Sequence, residues 1–270
     1  MTDVDTPTAA SIAADLAAEQ TALDEIVAPL DDDQWELATP SPRWAVRDQI
    51  GHLAFFDGTA ALSITDPEGF VEHRAAFMEA VMSDRSGSDD VTLGEARAMA
   101  PAELLGHWRT NRSRLADAAA TLDDADRVEW YGPSMGAKSF LTARLMEVFA
   151  HGQDIIDTVG GDRPVTDRIR HIAQLGVITR GWSYVNRGLE VPEGEIRVEL
   201  VAPSGAIWTW GPDDAAATVV GPAVDFVLVT IQRRALADTV LEVSGELAAD
   251  WMAKAQAFAG PPTDGPAHQP

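Results

Sequence analysis

The chain has 270 residues, 46% hydrophobic and 23% charged, the balance of a soluble globular protein with material for one large domain or two modest ones. Its formal net charge of −23 is spread along the whole length, which argues against partners such as nucleic acid or an anionic membrane, because both require basic patches. It contains no cysteine, which excludes disulfides, zinc fingers, a thiolate nucleophile and iron–sulfur ligation together.

The N-terminus, MTDVDTPTAASIAADLAAEQ, is acidic and has neither the basic start nor the continuous apolar core of a signal peptide. No apolar run approaches the roughly 20 residues that span a bilayer, and the expected location is cytoplasmic. Ile12, Leu16, Leu23, Ile26, Val27 and Leu30 form one apolar stripe and predict a first helix from about Thr8 to Leu30. DDDQWELATPSPRW (31–44) reads as turn material. A second helix begins near Ala45, carries Ile50, Leu53 and Phe56 inward, and has Asp48 in its first turn, where negative charge suits the helix dipole.

Residues 65–100 are less regular, and SDRSGSDD (83–90) reads as a mobile loop. A third helix is expected from Pro101 to Leu122, with Leu104, Leu105, Trp108 and Leu115 inward. WYGPSMGAKS (130–139) is a Gly/Pro loop whose Ser139 is placed to cap a fourth helix running to about Val159. Beyond GGDRPVTD (160–167) the pattern changes to a helix over 168–185, then strands at 195–203, 206–212 and 216–222. A helix over Ala223–Arg234, a strand at 239–245 and a closing helix at 246–258 follow. The predicted fold is therefore α+β: a four-helix bundle over 1–160, a smaller α+β domain over 161–260, and a tail, 261–270, disordered by composition.

The chemistry concentrates in MEVFAHGQDIID (146–157). A helix turns about 100° per residue, so Glu147, His151 and Asp154 share one stripe among Val148, Phe149, Ile155 and Ile156. His52, in RDQIGHLAFFD, lies between Ile50, Leu53 and Phe56 and should face inward from a second helix. Spacing alone leaves two readings open. One is a solvated face with a hydrogen-bonded core histidine. The other is a metal site of two imidazoles and one carboxylate, suited to Zn²⁺ and compatible with Fe²⁺ or Ni²⁺. His73, His107 and His171 sit in polar or basic contexts and read as surface or rim residues.

WAVRDQIGHLAFFD and RLMEVFAHGQDI together resemble the mycothiol-dependent maleylpyruvate isomerase and DinB superfamily, with its W-x-V-x-D-x-x-x-H-L motif on the second helix and its E-x-x-x-H-x-x-D motif on the fourth. The segment from TIQRRALADTVLEVSG to WMAKAQAFAGPP is similar to the C-terminal half of an uncharacterised actinobacterial branch known only as metal-binding. The resemblance implies a DinB-like bundle holding a divalent metal, usually zinc, through His52, Glu147 and His151. It also implies an active-site role for Asp154, and a substrate- or thiol-binding role for Arg233 with Arg234 as its neighbour. The C-terminal half loosely resembles sterol-carrier-like domains.

The expected function is a thiol-dependent transferase or isomerase. With no cysteine in the chain, the sulfur must arrive as a low-molecular-weight thiol such as mycothiol, together with a small-molecule substrate. Metal-dependent hydrolysis is a second reading. A third is a non-catalytic ligand-binding metalloprotein in which Trp208, Trp210 and Phe226 line an apolar cavity.

Overall fold

Thr8 and Ser11 start the first helix by a reciprocal cap: the Thr8 hydroxyl accepts from the Ser11 amide at 3.1 Å, and the Ser11 hydroxyl from the Thr8 amide at 3.0 Å. The computed structural model describes residues 6–83, 88–161 and 163–268. It separates into two compact units, Met1–Arg163 and Pro164–Pro270.

The first unit is a helical bundle. Helix α1 (Ala9–Val27) buries Ile12, Leu16, Leu23 and Val27. A single capped turn, α2 (Asp32–Trp35), sits within the expected turn segment and buries Trp35. Helix α3 (Val46–Thr65) packs against α6 (Pro101–Ala119) and α7 (Ala137–Val159), and α1 packs against α6 and α7. These are the four bundle helices expected from the sequence. Among the described residues no helix is long and apolar enough to cross a membrane.

The segment read as less regular is helical instead: α4 (Pro67–Ser83) and α5 (Ser88–Ala98) fill most of it. Their apolar stripes are thin. Only Phe70 of α4 is fully buried, and α5 buries Leu93 and Ala96, too few to stand out as a periodicity. Residues 84–87 of the expected mobile loop lie outside the described residues, and 88–90 are the first turn of α5. Helix α5 lies close against α3 because Gly51 has no side chain; a Cβ there would come within 2.7 Å of the Ala96 Cβ.

Ser139 does not cap α7. The helix starts two residues earlier, with Gly136 as its N-cap, because strand β1 (Arg127–Val128) pairs with β2 (Met135–Gly136) and the Ala137 amide donates to Asp126 O at 2.9 Å. The 130–139 loop is thus a closed hairpin that fixes where α7 begins.

The bundle interior buries the carboxylate of Asp57 on α3, held by a donor from each of the other three helices. Gln20 Nε2 of α1 lies at 2.8 Å, Trp108 Nε1 of α6 at 3.1 Å and Arg144 Nη2 of α7 at 3.3 Å. Outside the bundle core, Asp24 of α1 accepts two hydrogen bonds from Arg109 of α6, at 2.9 and 2.6 Å, and also pairs with Arg112.

The second unit is α+β. The helix expected over 168–185 is split into a 3₁₀ turn (Asp167–Ile169), α8 (Arg170–Ile178) and α9 (Arg180–Val185). The break falls at Thr179, whose hydroxyl donates back to Leu175 O at 2.7 Å. Strands β3 (Ile196–Val201), β4 (Ile207–Trp210), β5 (Ala217–Pro222) and β6 (Glu242–Ser244) form one sheet in the order β4-β3-β5-β6. The β3–β4 and β5–β6 pairs are antiparallel and β3–β5 is parallel. The chain leaves β4 through Gly211, at φ 77°, where a Cβ would meet Ile196 O at 2.1 Å, so only glycine fits.

Helix α10 (Ala223–Thr230) ends before the expected Arg234, since Gln232 takes a left-handed conformation at φ 58° and the Arg233 amide bonds back to Leu228 O at 2.7 Å. A 3₁₀ turn (Leu236–Asp238) precedes β6, and α11 (Glu246–Met252) is shorter than its expected span. Phe226 is buried with its ring 5.9 Å from Trp251, Trp208 lies under the Arg170 guanidinium, and Trp210 Nε1 donates to Gln174 at 2.6 Å. The C-terminal residues through 268 carry no helix or strand. They are nevertheless tied down, Thr263 O accepting from Gln232 Nε2 at 3.0 Å and Gly260 O from Asn186 Nδ2 at 3.0 Å.

Candidate metal centre

Helices α3 and α7 bring His52, Glu147 and His151 together. One ligand atom from each lies within 4.8 Å of the other two. Glu147 Oε2 stands 3.3 Å from His52 Nε2 and 3.1 Å from His151 Nε2. Donors held at about 2.0–2.2 Å from a tetrahedral ion stand roughly 3–3.5 Å apart, so this donor set fits a divalent cation. The Trp44 ring lies 5.2 Å from His52 and 5.7 Å from His151, with Phe56 4.6 Å from His52. Burial alone pushes the Glu147 carboxyl up. Hydrogen bonds with His151 and His52, and the charge those rings can carry, outweigh it and hold the group well below the ordinary carboxylate range.

A part-buried relay fixes the orientation of His151. The Thr39 hydroxyl donates to Trp44 O at 2.9 Å, which leaves its oxygen to accept from Gln49 Nε2 at 2.8 Å. That sets the Gln49 amide with its oxygen toward His151 Nδ1, so the ring donates from Nδ1. His151 Nε2 then faces the Glu147 carboxylate as a lone pair unless a positive charge lies between them, either a proton on the ring or a metal ion. Gln49 escaped the sequence reading. It is fully buried, but with Arg47 and Asp48 directly before it nothing in the local sequence singled it out.

Asp154 stands outside the converging ligand atoms. It is buried and accepts from the Ser41 hydroxyl at 2.9 Å, so it ties α7 to the same loop that carries Thr39 and Trp44. Arg233 and Arg234 belong to the second unit. With Ala235, Ala237, Asp238, Pro266 and Ala267 they line a cavity of about 400 Å³. Arg233 Nη1 donates to Ile231 O at 3.0 Å, and Arg234 Nη1 to Arg233 O at 2.7 Å. His73 is half-buried, and its Nε2 lies 2.9 Å from the Tyr131 hydroxyl.

The fold and site define an α+β protein whose helical bundle carries a His/Glu/His cluster, with His151 buried and His52 and Glu147 half-buried. Residues 16–156 match the family of the mycothiol maleylpyruvate isomerase N-terminal domain, and the chain belongs to that family. It is 45% identical over 252 residues to an uncharacterized protein of Mycobacterium tuberculosis, represented in strains CDC 1551 / Oshkosh and ATCC 25618 / H37Rv, covering 93% of this chain and 96% of the relative. Two crystal structures share its fold: mycothiol-dependent maleylpyruvate isomerase, with a TM-score of 0.55 at 18% identity, and a histidine-to-alanine mutant of that enzyme, with 0.54 at 16%. Each likeness covers 85% of this chain and 90% of the other.

Proposed function

We propose that this chain binds a divalent cation, Zn²⁺ in preference to Fe²⁺ or Ni²⁺, through His52, Glu147 and His151, and acts as a thiol-dependent isomerase or transferase on a small-molecule substrate. The observation that carries the reading is the convergence of one ligand atom each from His52, Glu147 and His151 to within 4.8 Å of one another. Family membership supports an exogenous thiol, with mycothiol the one its name specifies. When bound, the ion supplies Lewis acidity that lowers the pKa of a thiol reaching it.

The chain's own residues do the rest. His52 and His151 present imidazole nitrogens, Glu147 contributes a carboxylate, and Gln49 holds the His151 ring in place. Asp154, one turn beyond His151 on α7, orients the thiol or takes its proton, and its bond from Ser41 steadies that carboxylate. Arg233, with Arg234 beside it in the second unit, is proposed to bind a carboxylate, for which arginine's planar guanidinium is suited.

The test is metal content by elemental mass spectrometry on wild type, His52→Ala and Glu147→Gln, purified without chelator. About one zinc per chain, lost in both variants, is the expected result. A metal-free wild type would overturn the ligand assignment. Product formation from maleylpyruvate, with and without mycothiol, then separates thiol-dependent chemistry from hydrolysis.

A further inference from the structure

The cluster is bordered on one side by rings that the proposed chemistry leaves unused. Phe56 touches His52 at 4.6 Å and continues to Tyr131 at 5.7 Å and Trp130 at 6.2 Å, and Phe77 closes on Tyr131 at 4.8 Å. All four are half-buried and keep part of their surface in solvent. Rings that only fill a core are covered, as Phe70 and Phe140 are behind Trp130, with 0% and 1% exposure. The front rings are held rather than loose. His73 fixes the Tyr131 hydroxyl, and Trp130 O accepts from Arg74 at 2.7 Å.

The wall's chemistry selects its occupant. The guanidinium groups beside it donate elsewhere, Arg74 to Trp130 O and Glu129, and Arg144 through Nη2 to Asp57. What remains is a set of aromatic faces and edges, which recognise a flat, uncharged ring by stacking and edge contacts. Resting on the thiol reading above, we propose that the small molecule brought to the His52/Glu147/His151 centre carries an aromatic or similarly flat apolar group, seated on Phe56, Trp130 and Tyr131 within a few bonds of its reacting atom.

The experiment uses the full chain loaded with Co²⁺, in which a thiol reaching the ion gives a thiolate-to-cobalt charge-transfer band. Benzyl mercaptan and 2-mercaptoethanol are titrated against wild type, Phe56→Leu and Trp130→Ala. Benzyl mercaptan is expected to bind wild type about tenfold more tightly, the scale of one ring packed on aromatic neighbours, and both variants should lose most of that preference while keeping the band. Phe56→Leu stays apolar and of similar bulk, and the cobalt spectrum before thiol is added reports that the centre is intact. Equal affinities in wild type, or a preference unchanged in both variants, would overturn the aromatic site while leaving the metal–thiol reading standing. A cobalt-loaded protein that gives no band with either thiol would overturn the thiol reading and this inference with it.

Discussion

His151 donates from Nδ1 to the side-chain oxygen of Gln49, a residue 102 positions away in sequence, and this one bond decides which ring nitrogen is left for the Glu147 side of the site. Groups that accept from the far nitrogen of a metal-binding histidine set its tautomer and commonly change metal affinity by about 10–100-fold. Gln49→Leu keeps the volume and removes the acceptor. It is expected to weaken Zn²⁺ binding on that scale, read by competition with a chromophoric chelator, while Gln49→Glu retains it. Unchanged affinity in Gln49→Leu would remove the orienting role.

Asp57 should be the most sensitive polar position in the bundle. Removing its carboxylate strands the buried Arg144 guanidinium and leaves the Gln20 amide and the Trp108 indole without their acceptor. Breaking a buried ion pair from one side costs about 3–5 kcal/mol, so Asp57→Ala is expected to lower the urea midpoint sharply. Asp57→Leu together with Arg144→Met should recover part of the loss, because it removes the stranded charge as well. If Asp57→Ala unfolds at the wild-type midpoint, the carboxylate does not organise the bundle.

The Asp24–Arg109 contact gives stability a pH signature. The Arg109 hydrogen bonds, opposed by partial burial and reinforced by the Arg112 and Arg109 charges, hold the Asp24 carboxyl below its ordinary value. A carboxyl depressed in the folded state contributes stability that is full above its unfolded pKa, near 4, and is lost as pH falls through the lower folded value. Asp24→Asn is therefore expected to lower stability at pH 7 by about 1 kcal/mol, since Arg109 is partly exposed and screened, and to differ progressively less from wild type as the pH drops below about 4. A pH-independent difference between the two proteins would refute the linkage.

Gly51 reverses the usual helix rule. Alanine in a helix interior is ordinarily more stable than glycine by about 0.5–1 kcal/mol. At this position the added Cβ would sit 2.7 Å from the Ala96 Cβ, and overpacking of this kind costs about 1–3 kcal/mol. Gly51→Ala is expected to lower the melting temperature, and adding Ala96→Gly to restore it. Failure of the second change to rescue the first would show that helix α5 does not set this limit.

What could be read from the sequence was local and periodic. The Ile12–Leu16–Leu23–Val27 stripe of α1, the Leu104–Trp108–Leu115 stripe of α6 and the one-turn spacing of Glu147 and His151 repeat at the helical period, so residues a few positions apart disclosed a face. The alternation of buried Ile196, Val198 and Leu200 with more open Arg197 and Glu199 disclosed β3 in the same way. Helices α4 and α5 stayed hidden because Phe70, Leu93 and Ala96 are too few to form a stripe, and Ser139 misled because the β1–β2 pairing, a contact formed across the loop, sets the start of α7. Only the tertiary structure decided what meets what. His52 faces Glu147 across 95 residues, Gln49 orients His151 across 102, and Asp57 draws donors from three other helices. Such pairings depend on how whole helices pack against one another, a long-range outcome of burying their apolar faces that no local pattern encodes.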